Sequence, residues 1–371
     1  MNSIIFFPLF LAFSSSYALI GKKYGNYNKN LLILMLVVIY TFILGVRVNF
    51  GTDQIAYLHM YYYQGADLLR CEKLFVALNI FLRSLNAPYQ ALFSIIAFIE
   101  IYLLVLIFEK ENVSVFYGYV LFFLLYLNIN LNLSRQAMAM GFVLFSITFF
   151  SQKKYLSWLI LCLIAVGFHA SAFFTLLIVP LVALLKNIKT PRFVFYILIF
   201  LFSMFFEQIF DTILNIFLLP LNAIFGNKVQ ILQKILTMKI PLGSGMGIRL
   251  RGSAYIFMLP LMLDYKKLND KNNLYFSLMY FGVLGEFIAS INMNLSRIFY
   301  YFSEVQLIVI PAILSHISVS NLKKAKIKEL LFIFGIFLVF VLAISKWLSG
   351  ADTTEFYKMN LNFNLFENHT F

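Results

Sequence analysis

Residues 88–108 read PYQALFSIIAFIEIYLLVLIF, an unbroken apolar run with Glu100 as its one charged side chain. Pro88 opens it and Glu109-Lys110-Glu111 closes it. As an α-helix at about 1.5 Å per residue, such a run reaches roughly 30 Å, the thickness of a bilayer's hydrocarbon core. In hydrocarbon the backbone finds no water to bond, so helix is the economical state for it. Working outward, further apolar runs fall at 3–20, 31–46, 113–131, 135–150, 156–168, 171–185, 193–210, 253–264, 274–292, 298–317 and 329–347. The pair 156–168 and 171–185 is one long stretch broken near Gly167 and His169. The segment 72–87 is interrupted by Asn79 and Arg83 and ended by Pro88. It reads as a re-entrant or interfacial helix rather than a crossing.

The expectation is an all-α polytopic membrane protein, a single multi-pass domain over 1–371 with about twelve transmembrane helices. Composition agrees: 62% of residues are hydrophobic, 12% are charged and 44 are Phe. A soluble core of this length would need a far more polar surface. The first run has no basic residues before it and several after it, the pattern of a retained signal-anchor. Cys71 and Cys162 form neither a disulfide framework nor a metal cluster.

Lysines and arginines divide between the two sides. With the 21–30 loop (Lys22, Lys23, Lys29) in the cytoplasm, alternation puts Lys110, Lys153, Lys154, Lys186, Lys189 and Arg192 there too. Lys266, Lys267, Lys271, Lys323, Lys324, Lys326 and Lys328 join them, and both termini fall outside. The +13 net charge belongs partly to these lysines facing anionic lipid, and no nucleic-acid partner is expected. Seven of the eight arginines remain outside, Arg47, Arg70, Arg83, Arg135, Arg249, Arg251 and Arg297, together with Lys73, Lys228, Lys234 and Lys239 and, near the C-terminus, Lys346 and Lys358. Guanidinium offers a rigid fork of donors that fits phosphate oxygens, which ammonium does not. An outward phosphate site needs such groups. The plainer alternative is that they snorkel or pair with Asp53, Asp67 and Glu286 as structural ties.

Two long outer loops, about 47–71 and 211–252, frame the candidate residues. In the first, Gly51-Thr52-Asp53 is placed to turn and cap a helix from about Gln54, with Arg47 nearby and Tyr57 and Tyr61 at helical spacing. Aromatic faces at a wet interface suit sugar rings and equally an ordinary aromatic belt. Next, Ser134-Arg135-Gln136 opens the fifth run, with Ser134 as a candidate cap. A cation in a helix's first turn opposes the dipole, whereas an anion bound there is favoured by the amides and by the arginine. His169, in Gly167-Phe168-His169-Ala170-Ser171, is the histidine embedded in apolar sequence on this face: a structural residue, or a base or phosphate contact. The second loop ends Gly243-Ser244-Gly245-Met246-Gly247-Ile248-Arg249-Leu250-Arg251, without a Walker or dinucleotide pattern. It reads as a hinge carrying Arg249 and Arg251, a surface loop or a lid. Ser296-Arg297 repeats the Ser-Arg pattern at another outer helix start.

Arg47 with Gly51-Thr52-Asp53 and Tyr57, Glu72 with Phe75, Arg135-Gln136-Ala137, His169-Ala170-Ser171, Gly247 with Arg249, and Arg297 with Tyr300-Tyr301 run in order from 47 to about 302. This set resembles the EpsG family and, more broadly, Wzy-type polymerases of bacterial surface polysaccharides. Ala170 stands where a proline often follows the histidine, and Lys73 where proline is common after the glutamate. The resemblance implies a GT-C-like membrane glycosyltransferase without a metal or other cofactor. It would join polyprenyl-diphosphate-linked oligosaccharide units at the outer face of the bacterial cytoplasmic (inner) membrane, beside a chain-length regulator protein. Asp53 and His169 are then the catalytic candidates. Arg47, Arg135, Gln136, Arg249, Arg251 and Arg297 would bind diphosphate, and Tyr57 and Tyr301 sugar. An O-antigen ligase using the same donor, and a flippase or exporter, compete with this reading. A flippase should carry its cations mid-span, in a cavity open to both faces.

Overall fold

A computed structural model of the chain describes residues 26–45, 47–48, 53–63, 65–127, 132–185, 193–204, 245–288, 293–317, 326–350 and 360–361. These residues are overwhelmingly helical. In chain order the helices are α1 (Asn26–Gly45), α2 (Gln54–Tyr63), α3 (Ala66–Leu69), α4 (Lys73–Ser84), α5 (Tyr89–Lys110), α6 (Val115–Leu125), α7 (Ser134–Ser151), α8 (Tyr155–Phe168), α9 (Phe173–Leu185), α10 (Phe193–Met204), α11 (Gly245–Lys266), α12 (Asp270–Ile288), α13 (Met293–Ser303), α14 (Gln306–His316) and α15 (Ile327–Gly350). One short antiparallel ladder, β1 (Arg47–Val48) with β2 (Asn360–Leu361), pairs Arg47 with Leu361.

The apolar composition is spent on helices whose outer faces remain apolar. On α15, Leu330, Phe334, Phe337, Val341 and Ile344 are exposed at helical spacing, while Phe332, Val339 and Ala343 are buried. On α1, Leu31, Leu34, Val38 and Phe42 are exposed, while Val37, Tyr40 and Leu44 are buried. Such faces are stable against lipid and not against water. Three helical stretches among the described residues are long and apolar enough to cross a membrane: Tyr89–Lys110, Ser296–His316 and Ile327–Ser345. The chain is an all-α membrane protein. Val115–Leu125, Tyr155–Phe168 and Ala170–Leu185 are shorter apolar helices, and the run at 3–20 lies outside the described residues. The 12 residues of α4 extend about 18 Å, too short to cross.

Two compact units divide the chain. The first comprises Met1–Ile178, Ile310–His316 and Ala343–Phe371; the second comprises Val179–Val309 and Ile317–Leu342. In the first, α7 packs against α5 and α8, α1 lies along α5, and α4 touches α5 and α8. The hydroxyl of Tyr40 on α1 donates to Glu100 Oε2 at 3.0 Å, so the lone charge of the opening run is hydrogen-bonded. In the second, α11, α12 and α13 pack in sequence, with α10 against α11 and α12. The α12–α13 contact is close because Gly282 and Gly285 lack side chains. A Cβ on Gly282 would stand 2.1 Å from the Ser303 backbone nitrogen, and one on Gly285 would stand 1.8 Å from the Phe299 ring.

Within each unit most lysines and arginines occupy opposite helix ends, with Lys73 at the start of α4, beside Glu72, as a lysine on the arginine end. In the first, Lys110 ends α5 and Lys153-Lys154 link α7 to α8, close enough that the charge of Lys154 acts on Lys110. Arg135 begins α7, and His169 follows the far end of α8. The 18 residues of α7 separate the two groups by about 27 Å. In the second unit, Arg251 lies near the start of α11 and Lys266 at its end. Beside that end Lys328 pairs with Asp264 at 2.6 Å, half-exposed and worth well under about 1 kcal/mol.

Two sequence expectations change here. The glycine-rich hinge and the outer loop up to 252 give way from Gly245 onward, because α11 runs through Gly245, Gly247 and Gly252. Burial of Ala254, Tyr255, Met258 and Leu259 outweighs the roughly 1 kcal/mol helix cost of each glycine. Arg251 therefore rides on a packed helix rather than a lid. The second change is at Ser134, which is the first residue of α7 and not its cap; Leu133 occupies the cap position without a side-chain bond.

Candidate functional site

Arg135, in the first turn of α7, is held from four directions within the first unit. Its Nη1 donates to Glu72 Oε2 at 2.6 Å, and the two side chains keep 23% and 18% exposure. The guanidinium stands 5.9 Å from the Tyr57 ring and 5.4 Å from the Phe75 ring, whose negative faces favour a cation. Its backbone N–H donates to the Tyr57 hydroxyl at 3.5 Å, supplying the acceptor that a capping side chain would have given. Burial pushes the Tyr57 phenol above its ordinary value, against the opposing pull of Arg135. The phenol is thus neutral and keeps its own proton to donate.

Glu72 connects this group to His169. It occupies the cap position of α4, and its Oε1 accepts the Ala170 N–H at 2.9 Å. The break at His169 places that residue between α8 and a 3-10 turn, Ala170–Ala172, with extended backbone at φ −152 and ψ 118. His169 Nδ1 and Ser171 Oγ are 2.7 Å apart. Asp53 immediately precedes α2 and accepts the Tyr57 N–H at 3.0 Å on its carbonyl, and its charge acts on the Tyr57 hydroxyl. Asp53, Tyr57, Arg135 and the His169 turn, separate in sequence, therefore assemble at one end of the first unit. Gln136 is buried beside Arg135.

A second arginine centre occupies the second unit. Arg251 Nη1 meets Glu286 Oε2 at 2.7 Å, with side chains 31% and 6% exposed. The guanidinium stands 5.9 Å from the Tyr255 ring and 6.0 Å from the Phe287 ring. Tyr255 donates to Gln306. Tyr300, on α13, feels the charges of Glu286, Arg251 and Arg297 together.

The other expected residues fall as follows. The side chains of Arg47 and Arg249 lie outside the described residues, as do Thr52, the loop from 205 to 244, and Lys189. Arg83 donates to the carbonyls of Tyr61 and Tyr62 at 2.8 and 2.6 Å, closing the last turn of α2, a structural role. Arg70 and Asp67 are 3.9 Å apart and largely exposed. Both tyrosines expected to bind sugar are buried, Tyr57 at 5% and Tyr301 at 0% exposure, so neither presents an open ring face. The sequence reading omitted Glu72 and Glu286 from the site. An isolated carboxylate in a strongly apolar chain was the available signal, since it needs a partner.

Neither a curated protein nor a solved structure matches this chain. The model of the EpsG family matches residues 30–361, which include Asp53, Glu72, Arg135, His169, Arg251 and Arg297. The chain belongs to the EpsG family, a family of Wzy-type polysaccharide polymerases.

Proposed function

We propose that this protein joins polyprenyl-diphosphate-linked oligosaccharide repeat units at the outer face of the bacterial cytoplasmic membrane, in a GT-C-like arrangement of about twelve spans. The growing glycan on its lipid diphosphate is the donor, and a hydroxyl on the non-reducing sugar of the incoming unit is the acceptor. The acceptor oxygen attacks the anomeric carbon, the bond from that carbon to the diphosphate oxygen breaks, and the electron pair leaves with the diphosphate. The hydroxyl proton passes to a side-chain base, for which Asp53 and His169 are the candidates beside Arg135. Arginine stabilises the departing charge in place of a divalent cation.

The observation that carries this reading is the held guanidinium of Arg135, at the helix ends opposite Lys110, Lys153 and Lys154. Basic residues in short loops mark the cytoplasmic side, so the arginine end faces out. The test is a reconstituted polymerisation. Purified protein in nanodiscs, given lipid-linked repeat units alone, should yield a ladder of lengthening glycans. Transfer solely onto a different acceptor would point to a ligase, and movement across the bilayer without a new bond to a flippase. Cysteine labelling at positions 189 and 326 checks the orientation: reaction with an impermeant reagent from outside overturns it.

A further inference from the structure

With Tyr57 and Tyr301 buried, an open ring face for a sugar has to come from elsewhere. Among the described side chains the exposed tyrosines are Tyr63, Tyr102 and Tyr155. Tyr102 sits midway along the crossing helix α5, and Tyr155 follows Lys154 at the lysine end. Tyr63, the last residue of α2, stands at the arginine end and is 58% exposed. The ring of His59, exposed and one turn earlier, lies 4.5 Å from it at 35°. Ile55, also exposed, continues the row one turn further back.

The remaining rings of α2 fix this pair in place. Tyr57 meets Phe75 and Phe93 edge-on at 5.8 and 6.2 Å. Tyr61 donates to the Ala87 carbonyl at 2.6 Å, and Tyr62 packs edge-on against Tyr61 and Tyr89 at 5.7 and 6.2 Å. Arg83 holds the carbonyls of Tyr61 and Tyr62, so the turn that carries Tyr63 is pinned. Through these contacts α2 lies over the starts of α5 and α7. At about 100° per residue His59 and Tyr63 fall roughly opposite Tyr57 around the helix, so their rings face away from the packed helices. A tyrosine of the interfacial belt ends a crossing helix, whereas the 10 residues of α2 extend about 15 Å and do not cross. Two adjacent rings with a hydroxyl and ring nitrogens at their edges suit the apolar face and the hydroxyls of a sugar.

We propose that the His59–Tyr63 ring pair is a stacking site for the growing polysaccharide, beyond the sugar at which the bond is made. This rests on the polymerase reading above, in which the donor's diphosphate and first sugar lie at Arg135, on the Tyr57 side of α2. The ring pair stands across the helix, about 10 Å away, where later sugars of the chain reach. It grips them equally before and after each addition, so it adds nothing to the chemical step and retains the chain between additions. Its effect falls on polymer length.

The probe is a set of short oligosaccharides released by partial hydrolysis from the polymer that this protein makes in cells. Calorimetry on the full chain in nanodiscs reads their binding, and a gel of products from lipid-linked units reads polymer length on the same preparations. Tyr63→Ala should weaken binding about fivefold, a stacked ring's usual share, and shift the ladder to shorter products. His59→Ala should act in the same direction, and Tyr63→Phe, which restores the ring, should recover both readouts. A polymerising wild type without oligosaccharide binding, or Tyr63→Ala with wild-type affinity and ladder, overturns the site and leaves the polymerase reading intact; a ring that only meets lipid headgroups gives the second result. Equal losses in Tyr63→Phe and Tyr63→Ala overturn stacking as the cause. A wild type that binds the oligosaccharides through Tyr63 yet never extends a lipid-linked unit overturns the polymerase reading and, with it, the role in polymer length.

Discussion

Replacing Glu72 with glutamine tests whether the held guanidinium of Arg135 serves catalysis. The carboxylate makes two bonds, to Arg135 Nη1 at 2.6 Å and to the Ala170 N–H at 2.9 Å. At an effective dielectric of about 20, unit charges some 4 Å apart attract by about 4 kcal/mol before desolvation. Both side chains are about a fifth exposed, so the net value of the pair falls to about 1–2 kcal/mol. The amide keeps one acceptor but turns a donor toward either the guanidinium or the Ala170 N–H, forfeiting roughly another 0.5–1 kcal/mol. A total near 2 kcal/mol, at about 1.4 kcal/mol per decade, predicts a loss of about 30-fold in turnover. The loss should fall on kcat, because Arg135 keeps its charge for binding and loses the orientation that matters as the diphosphate departs. Reconstituted polymerisation over a range of lipid-linked substrate measures it, with protein in the membrane quantified by antibody. A kcat within threefold of wild type for Glu72→Gln refutes the argument.

Arg135→Lys should cost nearly as much polymer yield as Arg135→Ala, since ammonium keeps the charge and loses the fork, and gel analysis of polymer from a complemented null strain reports both. Gly282→Ala should destabilise by about 1–3 kcal/mol or more, because its Cβ would press on the Ser303 backbone, while Gly285→Ala presses on the Phe299 ring, a side chain that can turn, and should be milder; thermal melts in detergent rank the two. Asp53→Asn compared with His169→Gln separates the base candidates: the variant whose turnover no longer falls at low pH has lost the base, and near-normal turnover by both removes the pair from the chemistry.

What the sequence makes legible is what depends on neighbours along the chain. The break between the apolar runs at 156–168 and 171–185 falls at His169, and α2 begins at Gln54, directly after the expected Thr52-Asp53 turn. Arg135 lies in the first turn of its helix, and basic residues end the helices on the opposite side. The start of α11 was hidden for a reason of the same kind. Its glycines lower helix propensity locally, and only burial of Tyr255 and Met258 against other helices decides the matter.

The two arginine centres themselves depend on separations that no local pattern encodes. Glu72 reaches 63 positions to Arg135 and 98 to Ala170, and Tyr57 reaches 78 to serve as the acceptor for the α7 terminus. A tyrosine at an apolar boundary looks the same whether its ring meets lipid, a sugar or a guanidinium; burial of Tyr57 against Phe75, Phe93 and Arg135 selects the last. The same contacts explain why arginine rather than lysine stands at these two positions. A flat cation can lie between two rings and still direct its N–H groups at a carboxylate, whereas a lysine ammonium has no plane to hold there. Glu286, read from the sequence as a structural tie, and Glu72, left outside the site, are therefore the same kind of contact: each carboxylate fixes the guanidinium of an arginine that two rings also flank.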